Sequence, residues 1–257
     1  MRACGAAFGA LVLPVVLWAQ GFQWELSPRL PVPAPVLFIG AGAHGAWVSH
    51  LSALEAIEDG LSCATYRSGD GMHAVAGAYA EWWYAPESAL RLALLAGASQ
   101  AVLRAPAEPL PLADGRQLRT EYQLQMRLLV ARAEALGKLR LRDKLWVALG
   151  AWVGLQWRLQ EEQWERVLEP EDYVFQTTPP ARERRLSRAQ SVGVRPYGVG
   201  VLLRLGLDAP LARLTPVYAA PALSVGISLL SLARSAAWSR WELGVELPVL
   251  WGIRSGH

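Results

Sequence analysis

The stretch LWVALGAWVGLQWRLQ, Leu145 to Gln160, decides how this chain is read. Leu145, Val147, Leu149, Ala151, Val153, Leu155, Trp157 and Leu159 fall on one face of an extended strand. Trp146, Ala148, Gly150, Trp152, Gly154, Gln156, Arg158 and Gln160 fall on the other. Side chains alternate across a strand with period two, so one face is wholly apolar and the other is small, aromatic or polar. A helix would mix the two sets.

Working outward, the same alternation recurs at Val36–Trp47, His73–Tyr84, Arg91–Ser99, Tyr122–Val130, Tyr197–Leu207, Val217–Leu229 and Trp241–Trp251, which makes eight strands. The connections alternate as well. Those near residues 51–71, 104–118, 161–190 and 231–236 are the longer ones, while 85–88, 137–144 and 208–210 are tight. Loops segregated by length at the two ends of a sheet are the pattern of a membrane barrel.

Composition supports that choice. The 257 residues are 53% hydrophobic and 18% charged, yet beyond the N-terminus no apolar run reaches the roughly 20 residues a membrane helix needs. The apolar residues therefore belong to a buried core or to strands that face lipid. The expected fold is all-β: an eight-stranded antiparallel up-and-down transmembrane β-barrel. A soluble lipocalin-like barrel is the architectural rival, with its apolar face turned inward. The net charge of +3 and the lack of a basic stripe argue against nucleic acid as a partner.

Residues 1–21 read as a signal peptide: Arg2, then AAFGALVLPVVLWA, then the small residues Ala19 and Gly21 around Gln20. A short membrane anchor is the other reading. Residues 22–35 form a proline-rich lead-in, and 36–253 are the barrel domain. With Cys4 in the signal, Cys63 stands alone, which excludes a disulfide framework and a cysteine-based zinc site. Gly40, Gly42 and Gly45 match G-x-G-x-x-G, but the βαβ repetition of a dinucleotide fold is missing downstream, so the match is a coincidence.

If the apolar faces meet lipid, the opposite faces line a lumen. The expected lumen set is Glu81, Arg91, Arg127, Arg158, Arg204, Arg240, Glu242 and Glu246, with Gln123, Gln125 and Gln156. Eight strands enclose a space just wide enough for side chains. These charges then pair across it and plug it; a narrow charged pore is the alternative. Trp82 and Trp83 (with Tyr84), Trp157, Trp241 and Trp251 are expected in aromatic girdles, the alternative being ordinary core anchors. Trp241 and Trp251 lie ten positions apart on one face, about 25 Å along the membrane normal at a rise of about 3.3 Å and a tilt of about 40°. In the longest loop Arg182, Arg184, Arg185 and Arg188 are candidates for a surface anion contact, because guanidinium suits phosphate; the alternative is a loop whose own acids Glu169, Glu171 and Asp172 attract them. His44, His50, His73 and His257 fall in no metal-ligand spacing, and no G-x-S-x-G elbow is present. No catalytic residue, cofactor or metal is expected. Pro196, Pro216, Pro221 and Pro248 each remove a ladder donor, and Pro221, nearest mid-strand, demands a bulge or break.

These features, ending on WELGVELPVLW, resemble the small bacterial outer-membrane β-barrels of the OmpA transmembrane-domain type over about Val36–Ile253. The resemblance implies an outer-membrane location and a structural or surface-interaction role. It implies as partners outer-membrane lipid, lipopolysaccharide and the barrel-insertion machinery, besides an extracellular ligand the sequence does not identify. A lipid A-modifying serine–histidine barrel is the enzymatic alternative. Trp251 is followed by GIRSGH rather than closing the chain, a departure from the terminal aromatic of such barrels, and no peptidoglycan-binding segment follows.

Overall fold

The computed structural model describes residues 37–253 apart from 59–60, 178, 187–190, 212–215 and 235. The signal-peptide and lead-in assignments lie outside the described residues.

Eight long antiparallel strands form one closed ring: β1 (Leu37–Glu58), β2 (Leu61–Ala85), β3 (Ser88–Pro106), β4 (Gln117–Arg140), β5 (Leu145–Glu169), β6 (Tyr197–Leu207), β7 (Ala222–Ser228) and β8 (Trp238–Ile253). Each pairs with its sequence neighbour, and β8 closes on β1 from Leu37↔Ile253 to Ser52↔Trp238. There is no helix among the described residues. Gly40, Gly42 and Gly45 lie within β1, laddered on both sides, and not at a strand-to-helix turn.

The register fixes the barrel's shape. From Leu37 the cross-strand partners run Trp82, Leu90, Gly137, Leu149, Leu203, Val225 and Leu243, returning to β1 at Trp47. One circuit thus climbs ten residues, Leu37 to Trp47. Eight strands with that stagger tilt by about 41°, taking about 3.3 Å per residue and about 4.8 Å between strands. The ten-residue climb then spans about 25 Å along the axis, or about 3 Å per strand step.

Within that span the outward face is apolar. Leu94, Leu149, Val153, Leu203, Leu223, Val225, Leu243 and Val249 are all more than 40% exposed, and no charged side chain lies on this face among the described residues. The charged residues point inward instead. This is the reverse of a soluble barrel, and it makes the band a lipid-facing surface. The lipocalin-like alternative is thereby set aside.

The strands outrun the membrane. β2 and β5 have 25 residues each, about 60 Å of axial length against a band of about 25 Å. Residues 51–71, expected as a loop, are largely the upper halves of β1 and β2. β4 and β5 likewise continue upward through 117–128 and 158–169.

That extension corrects the expected facing of β4. Tyr122, Leu124, Met126, Leu128 and Val130 are buried inside the barrel, while Gln123, Gln125 and Arg127 face outward. Above the membrane the outside is water, so apolar side chains turn in and polar ones turn out. Below, where the outside is lipid, the same inward parity carries Arg132, Glu134 and Lys138. One strand thus changes its polar face without changing its pleat.

Two further corrections concern the lower end. Residues 208–210 are not the turn, because Ala209–Pro210 continues as strand and pairs with Val217–Ala219. Pro221 is accommodated by a break: Val217–Ala219 pairs β8 above Pro216, then Ala220 and Pro221 leave the ladder before β7 resumes. Ala220 N–H donates to Pro248 O at 3.0 Å and Leu207 N–H to Pro221 O at 3.0 Å, so the interrupted backbone stays paired.

The glycines of β6 serve the packing of two indoles. A Cβ on Gly206 would lie 2.3 Å from Trp146 Cζ2, and one on Gly200 would lie 2.3 Å from Trp152 Nε1. Trp146 and Trp152 from β5 lie across the bare backbone of β6 and fill the space its side chains leave.

Candidate functional site: the barrel lumen and its rim

Three layers fill the interior. At the lower end an aromatic layer holds Phe38, Tyr79, Trp146 and Tyr218. At the upper end an apolar cap gathers Leu103, Leu124, Met126 and Trp238 from the strands with Leu186, Val192, Leu232 and Ala233 from the loops. Between and through them runs a charged network.

Its members alternate in sign. Glu246 takes Arg91 at 2.8 Å and Arg204 at 3.0 Å; Arg204 continues to Glu134 at 2.5 Å; Glu134 holds Arg132 at 2.5 Å; and Arg132 reaches Glu242 at 3.0 Å. Below, Lys138 joins Glu81 at 3.0 Å and Asp208 at 2.7 Å, and Tyr218 donates to Glu81 at 2.5 Å. Among the described residues four of these cations (Arg91, Arg132, Lys138, Arg204) pair with five anions (Glu81, Glu134, Asp208, Glu242, Glu246), and the buried Arg240 beside them brings the positive charges of this set to five. Charge balance matters because an unpaired ion in a dry interior costs several kcal/mol. The indoles contribute too, with Arg91 5.3 Å from the Trp146 ring and Arg240 5.1 Å from Trp152. Among the described residues Arg240 otherwise donates only to Ser228 Oγ, at 3.2 Å.

Of the sequence-predicted lumen residues, the structure brings together Glu81, Arg91, Arg204, Arg240, Glu242 and Glu246, all buried. It places two elsewhere. Arg127 is on the outer wall, for the reason given for β4. Arg158 sits at a bulge between β4 and β5, exposed, pairing with Glu161 at 2.5 Å at the loop edge. Sequence reasoning missed Arg132, Glu134 and Lys138, although RAEALGK continues the β4 alternation in phase, and it missed Asp208 by reading it as a turn.

The girdle residues divide as well. Trp82, Trp251, Trp157 and Trp241 face outward, and Trp47, not singled out from sequence, packs edge-on against Trp241 at 5.0 Å. Trp83 turns inward instead, half-buried beneath Lys138 and Arg140, because alternation puts it opposite Trp82.

Above the membrane the long loop folds onto β5. Arg184 pairs with Glu165 at 2.6 Å and Arg185 with Glu162 at 3.5 Å, while Arg182 donates to the Leu168 carbonyl at 3.1 Å. These arginines are occupied by their own chain; Arg188 lies outside the described residues. Arg116 ties the neighbouring loop to this one, holding Asp114 at 2.6 Å and Asp172 at 2.7 Å. Hydrogen bonds from the Arg116 backbone and guanidinium hold the Asp114 carboxyl below the usual range, and the guanidinium does the same for Asp172.

One serine–histidine contact occurs in the lumen: His44 Nε2 lies 2.8 Å from Ser224 Oγ. On the other side of the ring, Arg132 Nη2 lies 3.3 Å from His44 Nδ1. A guanidinium can only donate, so Nδ1 accepts and Nε2 carries the proton. His44 therefore donates to Ser224, the opposite polarity to a base that activates a nucleophile. Among the described residues there is no cluster of three or more metal-ligating side chains.

No protein-family model matches the chain, and no curated sequence matches it. Among solved structures, Neisserial surface protein A is 12% identical with a TM-score of 0.36, covering 84% of this chain and 98% of its own. The outer membrane protein OprG from Pseudomonas aeruginosa is 11% identical with a TM-score of 0.36, covering 86% and 99%. The outer membrane protease OmpT from Escherichia coli is 7% identical with a TM-score of 0.34, covering 88% and 99%. Likenesses at this level assign neither a ligand nor a role.

Proposed function

We propose that this chain is a bacterial outer-membrane β-barrel with a closed lumen, acting structurally or through contacts made by its extracellular wall and loops rather than by transport or catalysis. The observation that carries this reading is the filled interior: a charge-balanced network sealed above by an apolar cap that includes loop residues. A conducting pore needs a continuous wet path, and the buried Leu124, Met126 and Trp238 stand across it. The inverted polarity of the His44–Ser224 contact argues against a serine hydrolase in the lumen.

Planar-bilayer recording tests it. Purified barrel is expected to give no stable conductance steps, and Glu242→Ala is expected to stay equally silent because the cap does not depend on Glu242. Reproducible steps from the wild-type protein would replace the closed-lumen reading with that of a narrow pore.

A further inference from the structure

Most outward arginines of the extracellular wall are paired by their own chain, and among the described residues Arg67, high on β2, and Arg127 are left without an ion-pair or hydrogen-bond partner. Arg104 holds Asp70 at 2.9 Å, Arg119 holds Glu169 at 3.4 Å, and Arg166 holds Glu183 at 3.3 Å. Arg127 is the lowest arginine on this wall and has no ion-pair or hydrogen-bond partner among the described residues. The nearest acid in register on the outward face, Glu162, already takes Arg185, the Gln160 amide and the Trp164 indole.

Its height follows from the stagger. Arg127 is two positions above Leu129 on β4, and Leu129 is level in register with the girdle residue Trp157. With about 3 Å per strand step and about 2.5 Å per residue along the axis, Arg127 stands about 34 Å above Leu37, just beyond Trp157 at about 32 Å. That is the depth of lipid headgroups. Its row is built of amides: Gln100 lies opposite on β3 and Gln160 opposite on β5, with Gln125 above on its own strand. A bulge between β4 and β5 begins at this residue, and bulges re-aim the side chains beside them. Beneath the row the lipid-facing wall is hollowed by small residues into an apolar groove of 640 Å³, lined by Ala96, Ala131, Ala133, Val153 and Leu155.

We propose that Arg127, with Gln100 and Gln160 beside it, holds the phosphate of an anionic lipid in the extracellular-side leaflet, whose acyl chains lie in the groove below. The inference rests on the membrane reading above. A guanidinium offers two parallel donors to a phosphate, amides add donors for its remaining oxygens, and the groove selects a ligand with chains over a free anion.

The test is native mass spectrometry of the full barrel, folded in neutral detergent and titrated separately with diphosphoryl lipid A, phosphatidylcholine and inorganic phosphate. Unboiled gel migration is read on the same samples. Lipid A adducts are expected on the wild type and about tenfold weaker on Arg127→Gln, since losing a charge-assisted bidentate contact is an effect of that order. Arg104→Gln, which breaks an internal pair, is the control expected to bind like the wild type. Equal retention by folded Arg127→Gln overturns the site, and displacement of lipid A by millimolar phosphate overturns the lipid assignment. A chain without a heat-dependent gel shift overturns the membrane reading, and the site with it.

Discussion

Glu246→Gln is the perturbation that tests the charged lumen most directly. Glu246 is the only carboxylate paired with Arg91 among the described residues, at 2.8 Å, and it also takes Arg204 at 3.0 Å, with all three side chains fully buried. Glutamine keeps the shape and removes the charge. Arg204 retains Glu134 at 2.5 Å, but Arg91 is left as a buried cation without its counter-ion. Breaking a buried pair from one side costs about 3–5 kcal/mol, and the retained partner of Arg204 puts the expected loss near about 3 kcal/mol. At about 2 kcal/mol per molar urea, that moves the unfolding midpoint down by about 1.5 M. The assay is urea unfolding of barrel reconstituted in vesicles, followed by tryptophan fluorescence and by the unboiled gel band. Arg91→Met in the Glu246→Gln background removes the stranded cation and is expected to restore more than about 1 kcal/mol, a coupling that only contacting residues show. A Glu246→Gln loss within about 0.5 kcal/mol, the range of ordinary surface substitutions, would refute the claim that this network supports the fold.

Two other predictions follow from geometry already described. Gly206→Val places a side chain where Trp146 lies 2.3 Å away, so a loss of about 1–3 kcal/mol and a smaller fraction of heat-modifiable band are expected, whereas Gly45→Val, with nothing within 4 Å, should assemble normally. The Asp114 and Asp172 carboxyls, held low by Arg116, keep their contact above the ordinary carboxylate value and lose it as pH falls through their depressed values. Hydrogen exchange at the Arg116 amide, which donates to Asp114 Oδ1 at 3.0 Å, should therefore stay slow from pH 7 to about 4.5; early loss of protection would contradict the assignment.

How much of this was legible depends on which solvent lies outside each strand. Leu145–Trp157 reads cleanly because lipid is its outer environment throughout, so hydrophobicity and pleat agree. Tyr122–Val130 misleads because its outer face is wet. A rule that assigns the apolar face to lipid inverts it, and it puts Arg127 in the lumen. The phase could have been recovered from Arg132, Glu134 and Lys138 further down the same strand, since a pleat without a bulge cannot change parity. The upper halves of β1 and β2 were hidden for a related reason: EAIEDG and YRSGDG carry turn-forming and charged residues that read as loop once both faces are polar or loop-covered. The lumen pairs crossing from β3 to β8 and from β4 to β6 join residues up to 155 positions apart, Arg91 to Glu246, and no local pattern announces them.

The unequal strand lengths have a consequence for backbone hydrogen bonding. β8 ends its pairing with β1 at Trp238↔Ser52, and β6 ends its pairing with β5 at Tyr197↔Leu155. Above Ala53, whose N–H still reaches the Ala237 carbonyl at 2.8 Å, Leu54–Glu58 is laddered to β2 alone among the described residues. Hydrocarbon tolerates no open sheet edge, since no water is there to satisfy it, whereas an aqueous phase does. The level at which the cylinder opens into a free-standing wall is therefore the highest level the hydrocarbon can reach. The peptide groups mark that shoreline by themselves: β1 and β8 part above Trp47 and Trp241, and β5 and β6 part just below Trp157, within the belt that the outward tryptophans mark separately.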